Sequence, residues 1–438
     1  DDDDDDDDDD DTNNAAINEV PNQDDVVDMS KTKLETHSDS VYAVACHLQN
    51  DDSQLLILSG GGDDKAFFHR LVPNSEAASH QLPYNHSDSV SCVAFNMAFV
   101  GPDPKKTPKL AAVGGFDGAI VLYDPETGEQ KLKLEGPSDV EWISFHPKGG
   151  SVLLAGSGDG TVWMFHVPLN KCLQVFVGHE QGVSAGSFTP DGKLALSASA
   201  DGTLRIWAPK TGLCKHTFRL GEAGLTCMAT NGGSDGQLVL VGAEDGQAHV
   251  CHTGTKKVVA TLKHFETPTP AASNSNSNNT GGNADDDADM MEYPMSVEGV
   301  GFSPLNPNWC ATGGVDGVLK IWDLTKDGQC RHICKAAKED NDGITRLRWH
   351  PTLPVVFAST SSGKIRLWDA RSGTLVHTMT GHTNMINDMD VQFTRATENG
   401  VGGGAAMIVA GGDDQTVRVF EVDVAGVLQQ QQVAEMPS

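Results

Sequence analysis

One pattern recurs eight times along the chain and dominates what it can fold into. Each copy has a Gly/Ser-rich approach, a turn centred on Asp, and alternating apolar residues that end on an aromatic or its substitute. The copies are GGGDDKAFFHRL (60–71), GGFDGAIVLYD (114–124), GSGDGTVWMFH (156–166), SASADGTLRIWA (197–208), GAEDGQAHVCH (242–252), GGVDGVLKIWD (313–323), STSSGKIRLWD (359–369) and GGDDQTVRVFE (411–421). The turn residues are Asp63, Asp117, Asp159, Asp201, Asp245, Asp316, Ser362 and Asp414, spaced by 54, 42, 42, 44, 71, 46 and 52 residues. The basic period of 42–46 suits a unit of four short strands. The three long gaps each hold an insertion, at 101–109 (GPDPKKTPK), 266–292 and the Gly-rich 394–406.

A lone four-stranded unit cannot bury both faces, and radial packing solves this while leaving only short outer edges. The sequence therefore predicts an all-β, eight-bladed β-propeller over 31–424, with residues 31–36 (KTKLET) as the fourth strand of the last blade. A seven-bladed ring is the alternative, because unit 5 is the most degenerate. Unit 5 nevertheless keeps GAEDG and the preceding LVLVG, which favours eight.

The lead-in to each unit is also repetitive. His37-Ser-Asp-Ser-Val41, His86-Ser-Asp-Ser-Val90, Gly178-His179 and Gly381-His382 precede first strands, and FHP, FTP, FSP and WHP close them in units 3, 4, 6 and 7. These features resemble the WD-repeat family over roughly 32–424. That resemblance implies an internal network in unit 4 of His179, Ser197, Asp201 and Trp207, in which Asp accepts from His and His reaches Trp through the hydroxyl. A His-Asp-Ser trio could otherwise suggest a nucleophilic triad. The recurrence at fixed offset makes it structural. His69 and Cys251 stand at the Trp position of units 1 and 5, and Ser362 replaces the turn Asp of unit 7, so packing is expected to hold those blades.

The net charge is −30, and it falls to −9 once the fifteen acids of 1–30 and the six of 266–292 are set aside. The expected organisation is a disordered acidic tail at 1–30, a disordered acidic insertion at 266–292 and a C-terminal tail at 425–438. An acidic body repels nucleic acid and anionic membrane and attracts basic partners. No apolar run is long enough for a membrane helix. The chain begins at Asp1 rather than Met, so its start carries no reading for or against a leader. Nine irregularly spaced Cys read as reduced thiols of a cytoplasmic protein, with the nucleus as a second location. Cys330-x3-Cys334 has no second pair at zinc spacing, so no metal and no cofactor are expected. Phosphate-loop, nucleophile-elbow and zinc-protease motifs do not occur, so no enzyme is expected.

In a propeller the loops leading into first strands share a face with the Asp turns. Acids recur there: Asp39, Asp88, Asp139, Glu141, Glu180, Glu222 and Asp342 in lead-ins, and Asp64, Glu244 and Asp413 beside turns. Asp285 to Asp289 and Glu292 feed unit 6 and join the same face. Turn chemistry and solubility alone favour Asp in such loops. The sharper reading is a negative funnel around the central channel that binds an Arg/Lys-rich segment of a protein through charge-assisted pairs.

Four stretches narrow the resemblance: HSDSVYAV (37–44), GGGDDKAF (60–67), SDVEWISFHPKG (138–149) and VLLAGSGDGTVWMFHVP (152–168). They are similar to the angio-associated migratory cell protein family, in which a yeast WD-repeat chaperone is included. The resemblance implies a dedicated chaperone holding the basic segment of a newly made large-subunit ribosomal protein, with Asp139 and Glu141 of DVEW as contacts; the chain is expected to be a monomer. The alternative is a general scaffold or adaptor in signalling, cell migration or ubiquitin-ligase assemblies.

Overall fold

The computed structural model describes residues 27–49, 54–96, 110–149, 151–232, 237–265, 295–336, 342–394 and 405–434. The expected tail up to residue 26, the insertion 266–292, the insertion 101–109 and most of 394–406 lie outside these residues. Eight four-stranded antiparallel sheets form one ring, so the count of eight holds and the seven-bladed alternative falls. Blade 1 comprises Val41–Leu48, Leu55–Gly61, Ala66–Leu71 and Ala78–Gln81, and seven more blades follow in chain order. The first strands of successive blades touch one another and surround the axis.

Burial follows position within the blade. The second strands Leu55–Gly61 and Ala406–Gly412 are buried at every residue, because adjacent blades cover both sheet faces. The outer strand Ala78–Gln81 is exposed throughout. Each core is shared between neighbours: Ile120, Leu122 and Leu134 of blade 2 pack on Leu153, Ala155 and Phe165 of blade 3.

The ring closes as expected. Thr32–Leu34 pairs antiparallel with Val417–Val422 as the fourth strand of blade 8. Leu34, Val417 and Val419 then pack on Val41, Val44 and Ile57 of blade 1. Two carboxylates staple this seam from within. Asp388 accepts from Val44 N at 3.1 Å and Asp390 from Cys46 N at 2.9 Å, while Arg346 reaches Asp388 at 3.3 Å from blade 7.

Both expected tails are shorter than the sequence suggested. Residues 27–30 are docked: Asp28 pairs with Arg418, and Met29 N donates to Thr380 O at 2.9 Å. Val424–Ala434 is a helix rather than tail. Asp423 caps it by accepting from Gly426 N at 3.1 Å, and Val424 and Leu428, one turn apart, enter the core of blades 7 and 8. Among the described residues no helix is long and apolar enough to cross a membrane, and no group of His, Cys, Asp and Glu is placed to hold a metal ion.

Candidate protein-binding rim

The lead-in loops and Asp turns meet on one face because hydrogen bonds tie them together. In blade 4, His179 Nδ1 lies 2.9 Å from Asp201 and Nε2 lies 2.7 Å from Ser197 Oγ, which also accepts from Trp207 Nε1 at 2.8 Å. Burial raises the Asp201 carboxyl, but hydrogen bonds from Thr203, Glu180 N and His179 outweigh it and bring its pKa down to about 2. Asp201 thus stays ionised and is saturated by the fold.

Other blades reach the same end differently, and two expectations need correction. In blade 1, His69 completes the network in place of Trp: it lies 3.0 Å from Ser59 Oγ, and His37 bridges Ser59 at 2.8 Å and Asp63 at 2.9 Å. In blade 7, Asp342 accepts from Ser362 N at 2.7 Å, Ser362 Oγ at 2.7 Å and Arg366 Nη2 at 2.9 Å. Asp342 is 4% exposed, so this expected partner contact is instead half of a buried ion pair. Blade 5 shows no such network among the described residues; Cys251 is buried there, in keeping with a blade held by packing. Blade 6 takes His264 from before the insertion, 2.7 Å from Thr312 Oγ1, which also accepts from Trp322 Nε1 at 2.8 Å.

The remaining acids fall into two groups. Asp139 is half-buried and accepts from Ser138 Oγ, Ser157 Oγ and Gly158 N at 2.8, 2.7 and 2.9 Å, so it pins the blade 3 lead-in where blades 1, 2, 4, 6 and 8 use His. Asp413 accepts from Asn387 Nδ2 at 2.7 Å, and exposed Glu244 accepts from Gly224 N at 3.3 Å. Asp39 and Asp88 are exposed and each accepts from the next backbone N–H at 2.7 Å. Glu141, Glu180 and Glu222 are exposed, and their carboxylates accept no hydrogen bond among the described residues. None of these last five forms an ion pair with Lys or Arg among the described residues.

Glu141 occupies a distinctive place. The residue after the buried opener of each first strand sits on a β-bulge in most blades and reaches the next blade at the channel mouth. Ser91 donates to Val140 O, Ser184 to Leu225 O, and Asn387 to Val41 O at 3.1 Å. Glu141 cannot donate. Trp142 Nε1 serves Val183 O instead, at 2.9 Å, packed so closely between Gly156 and Gly186 that a Cβ at either glycine would lie 2.1 Å from it. DVEW therefore divides its labour: Asp139 pins, Val140 fills the core, Trp142 bridges to blade 4, and Glu141 is left to face the mouth. Partial desolvation, then the charge of Asp139, raises the Glu141 pKa.

Four stretches match the WD domain, G-beta repeat family (128–166, 170–208, 295–323 and 373–421), and 316–393 matches the anaphase-promoting complex subunit 4 WD40 domain. The angio-associated migratory cell protein of Canis lupus familiaris is 33% identical over 399 residues, covering 90% of this chain and 80% of the relative. The chain belongs to the angio-associated migratory cell protein family. The Homo sapiens member gives the same identity, 33% over 399 residues, covering 90% of this chain and 80% of its own length. Among solved structures, Saccharomyces cerevisiae Sqt1 superposes with a TM-score of 0.72 at 19% identity, covering 90% of this chain and 99% of its own. Chaetomium thermophilum Sqt1 bound to the N-terminus of the ribosomal protein L10 gives 0.69 at 21%, covering 90% and 100%. At such identities the likeness is one of fold.

Sequence reasoning missed Glu298. It follows the buried opener of its first strand in blade 6, on a bulge, as Glu141 follows Val140 in blade 3, and with Tyr42, Thr345, Arg346 and Asn387 it lines a 470 Å³ pit at the channel mouth. Its signal was the position directly after the buried Val297, which the preceding insertion obscured. That insertion leaves and returns on this face: His264 lies 3.4 Å from Asp316, and Ser296 O accepts from Val315 N at 3.1 Å.

Proposed function

We propose that this protein is a chaperone that holds the basic segment of a newly made large-subunit ribosomal protein against the carboxylate rim. Asp39, Asp88, Glu141, Glu180 and Glu222 are the contact residues, and Glu298 in the mouth is a further one. The supporting observation is that the first five are exposed on one face without a Lys or Arg partner. A protein surface keeps such a concentration of uncompensated charge at a cost in self-repulsion, which a cationic segment relieves. The Sqt1 complex with the L10 N-terminus, on the same fold, supports this choice of client. The WD-repeat scaffold supplies binding, with no catalytic step, cofactor or direct nucleic-acid contact. The protein acts as a monomer, in the cytoplasm and also the nucleus. Ribosomal RNA, with its denser phosphate charge, displaces the protein from the client.

The test is fluorescence anisotropy with a labelled basic N-terminal peptide of a large-subunit ribosomal protein. Glu141→Lys/Glu180→Lys/Glu222→Lys lowers affinity at least about tenfold at low salt, since partly desolvated pairs contribute about 1–3 kcal/mol and rim pairs less. Binding that ignores both the reversal and added salt sinks the proposal and leaves an apolar scaffold contact instead.

A further inference from the structure

The face opposite the rim carries a groove of different chemistry. It is built by the turns that join first to second strands in blades 3 and 4, the turn that joins third to fourth strands in blade 4, and the outer strands of blade 3, and it has a volume of 780 Å³. Buried Met164 and Phe188 and partly exposed Leu173 form an apolar floor. His146 stiffens one wall: its Nε2 lies 3.0 Å from Gly192 O, and its ring meets Phe188 edge-on at 4.8 Å. Lys193, Lys210 and Lys215 stand exposed along the lip. Lys193 pairs with Asp191 at 3.1 Å, and Lys210 and Lys215 have no carboxylate partner among the described residues. Leu169 and Leu213, 68% and 67% exposed, extend the apolar surface on turns of the same face. A cationic lip over an apolar floor is the opposite of what a chain of net charge −30 shows elsewhere.

We propose that this groove docks an acidic peptide segment of another protein, one in which Asp and Glu alternate with large apolar residues. Complementarity argues for it: the floor supplies affinity through buried apolar side chains, and the three lysines select sign and steer the encounter. The acidic segments of this chain adjoin the ring elsewhere, at Asp28 beside blade 8 and between His264 and Met295 in blade 6, on the rim side. A basic client on the rim and an acidic partner in the groove can therefore be bound at once, each repelled by the other's site.

The experiment uses the full chain and a fluorescein-labelled synthetic peptide alternating Glu and Asp with Leu and Phe, read by anisotropy. A photo-crosslinker in the peptide maps the site. The expected result is saturable binding, cross-links to Leu173, the 208–213 turn or Lys215, and loss of about tenfold or more in Lys193→Glu/Lys210→Glu/Lys215→Glu. Leu173→Ser weakens binding as well, while the basic ribosomal peptide binds both variants as before, which separates this site from the rim. Unchanged affinity in the lysine variant overturns the proposal. So does equal binding of a peptide with Ser in place of Leu and Phe. Tighter binding after removal of residues 1–26 also overturns it, since that result makes the chain's own acidic segment the occupant.

Discussion

Blades 4 and 7 solve one problem with different chemistry. Blade 4 puts a histidine in the lead-in loop and an aspartate in the turn, so Asp201 is consumed by the fold and Glu180 is left exposed. Blade 7 has Ser362 in the turn, and the acid has moved into the lead-in loop, where Asp342 is buried against Arg366. Two lead-in acids at similar places in their units therefore have opposite fates. What decides is whether another residue has already tied loop to turn. An acid in a lead-in loop is available for a partner when another group does the tying: a histidine, a neighbouring acid such as Asp139, or, in blade 5, Glu244 from beside the turn.

The comparison breaks most visibly at Asp342. Asp342→Ala breaks the buried ion pair with Arg366 and removes the acceptor that ties Ser362 to the lead-in loop, and it costs about 3–5 kcal/mol, read as a fall in denaturant midpoint. Replacing Arg366 by Met in the same chain recovers much of that loss. A single variant as stable as the parent would mean that the Asp342–Arg366 pair does not hold the loop to the turn. In blade 4, His179→Ala leaves Asp201 and Ser197 without their shared partner and costs about 1–3 kcal/mol by the same measurement.

Blade 1 sharpens the contrast through pH. Burial, then the neighbouring His37, lowers the His69 pKa from 6.5 to about 3. The unfolded chain takes up a proton that folded His69 refuses, so this stabilisation is whole above the unfolded value and is lost as pH falls from 6.5 towards about 3. His69→Trp, which installs the residue found at this position in blade 4, removes that loss. Unfolding midpoints measured at steps through this window fall less steeply for the variant than for the parent. The smallest effect on stability is expected at Glu180→Lys, within about 0.5 kcal/mol, although it weakens capture of a basic peptide.

The period made the ring legible: eight Asp-type turns and the KTKLET closure gave blade number and seam without any coordinate. Much of the rim was legible too, because lead-in loops recur. What the sequence hid was availability. Asp342 reads like Asp88 until Arg366, on another strand, is seen to take it. Glu298 lies behind the insertion, and His264 before it, so neither shows its place in unit 6 by local spacing. The helix Val424–Ala434 was missed because a Gln-rich run has no strong apolar pattern; Val424, Val427 and Leu428 pack it on the core and Gln431 hydrogen-bonds to Thr374 and Leu375 of blade 7.

Carboxylate labelling with a water-soluble carbodiimide and glycine ethyl ester, read residue by residue by mass spectrometry, puts the distinction to the most direct test. The expected result is that Glu141, Glu180 and Glu222 label readily, that Asp342 and Asp201 do not, and that a basic ribosomal-protein peptide suppresses labelling at the first three alone. Asp342 labelling as fast as Glu180, or rim labelling unchanged by saturating peptide, would contradict the division between acids that build the ring and acids that bind a partner.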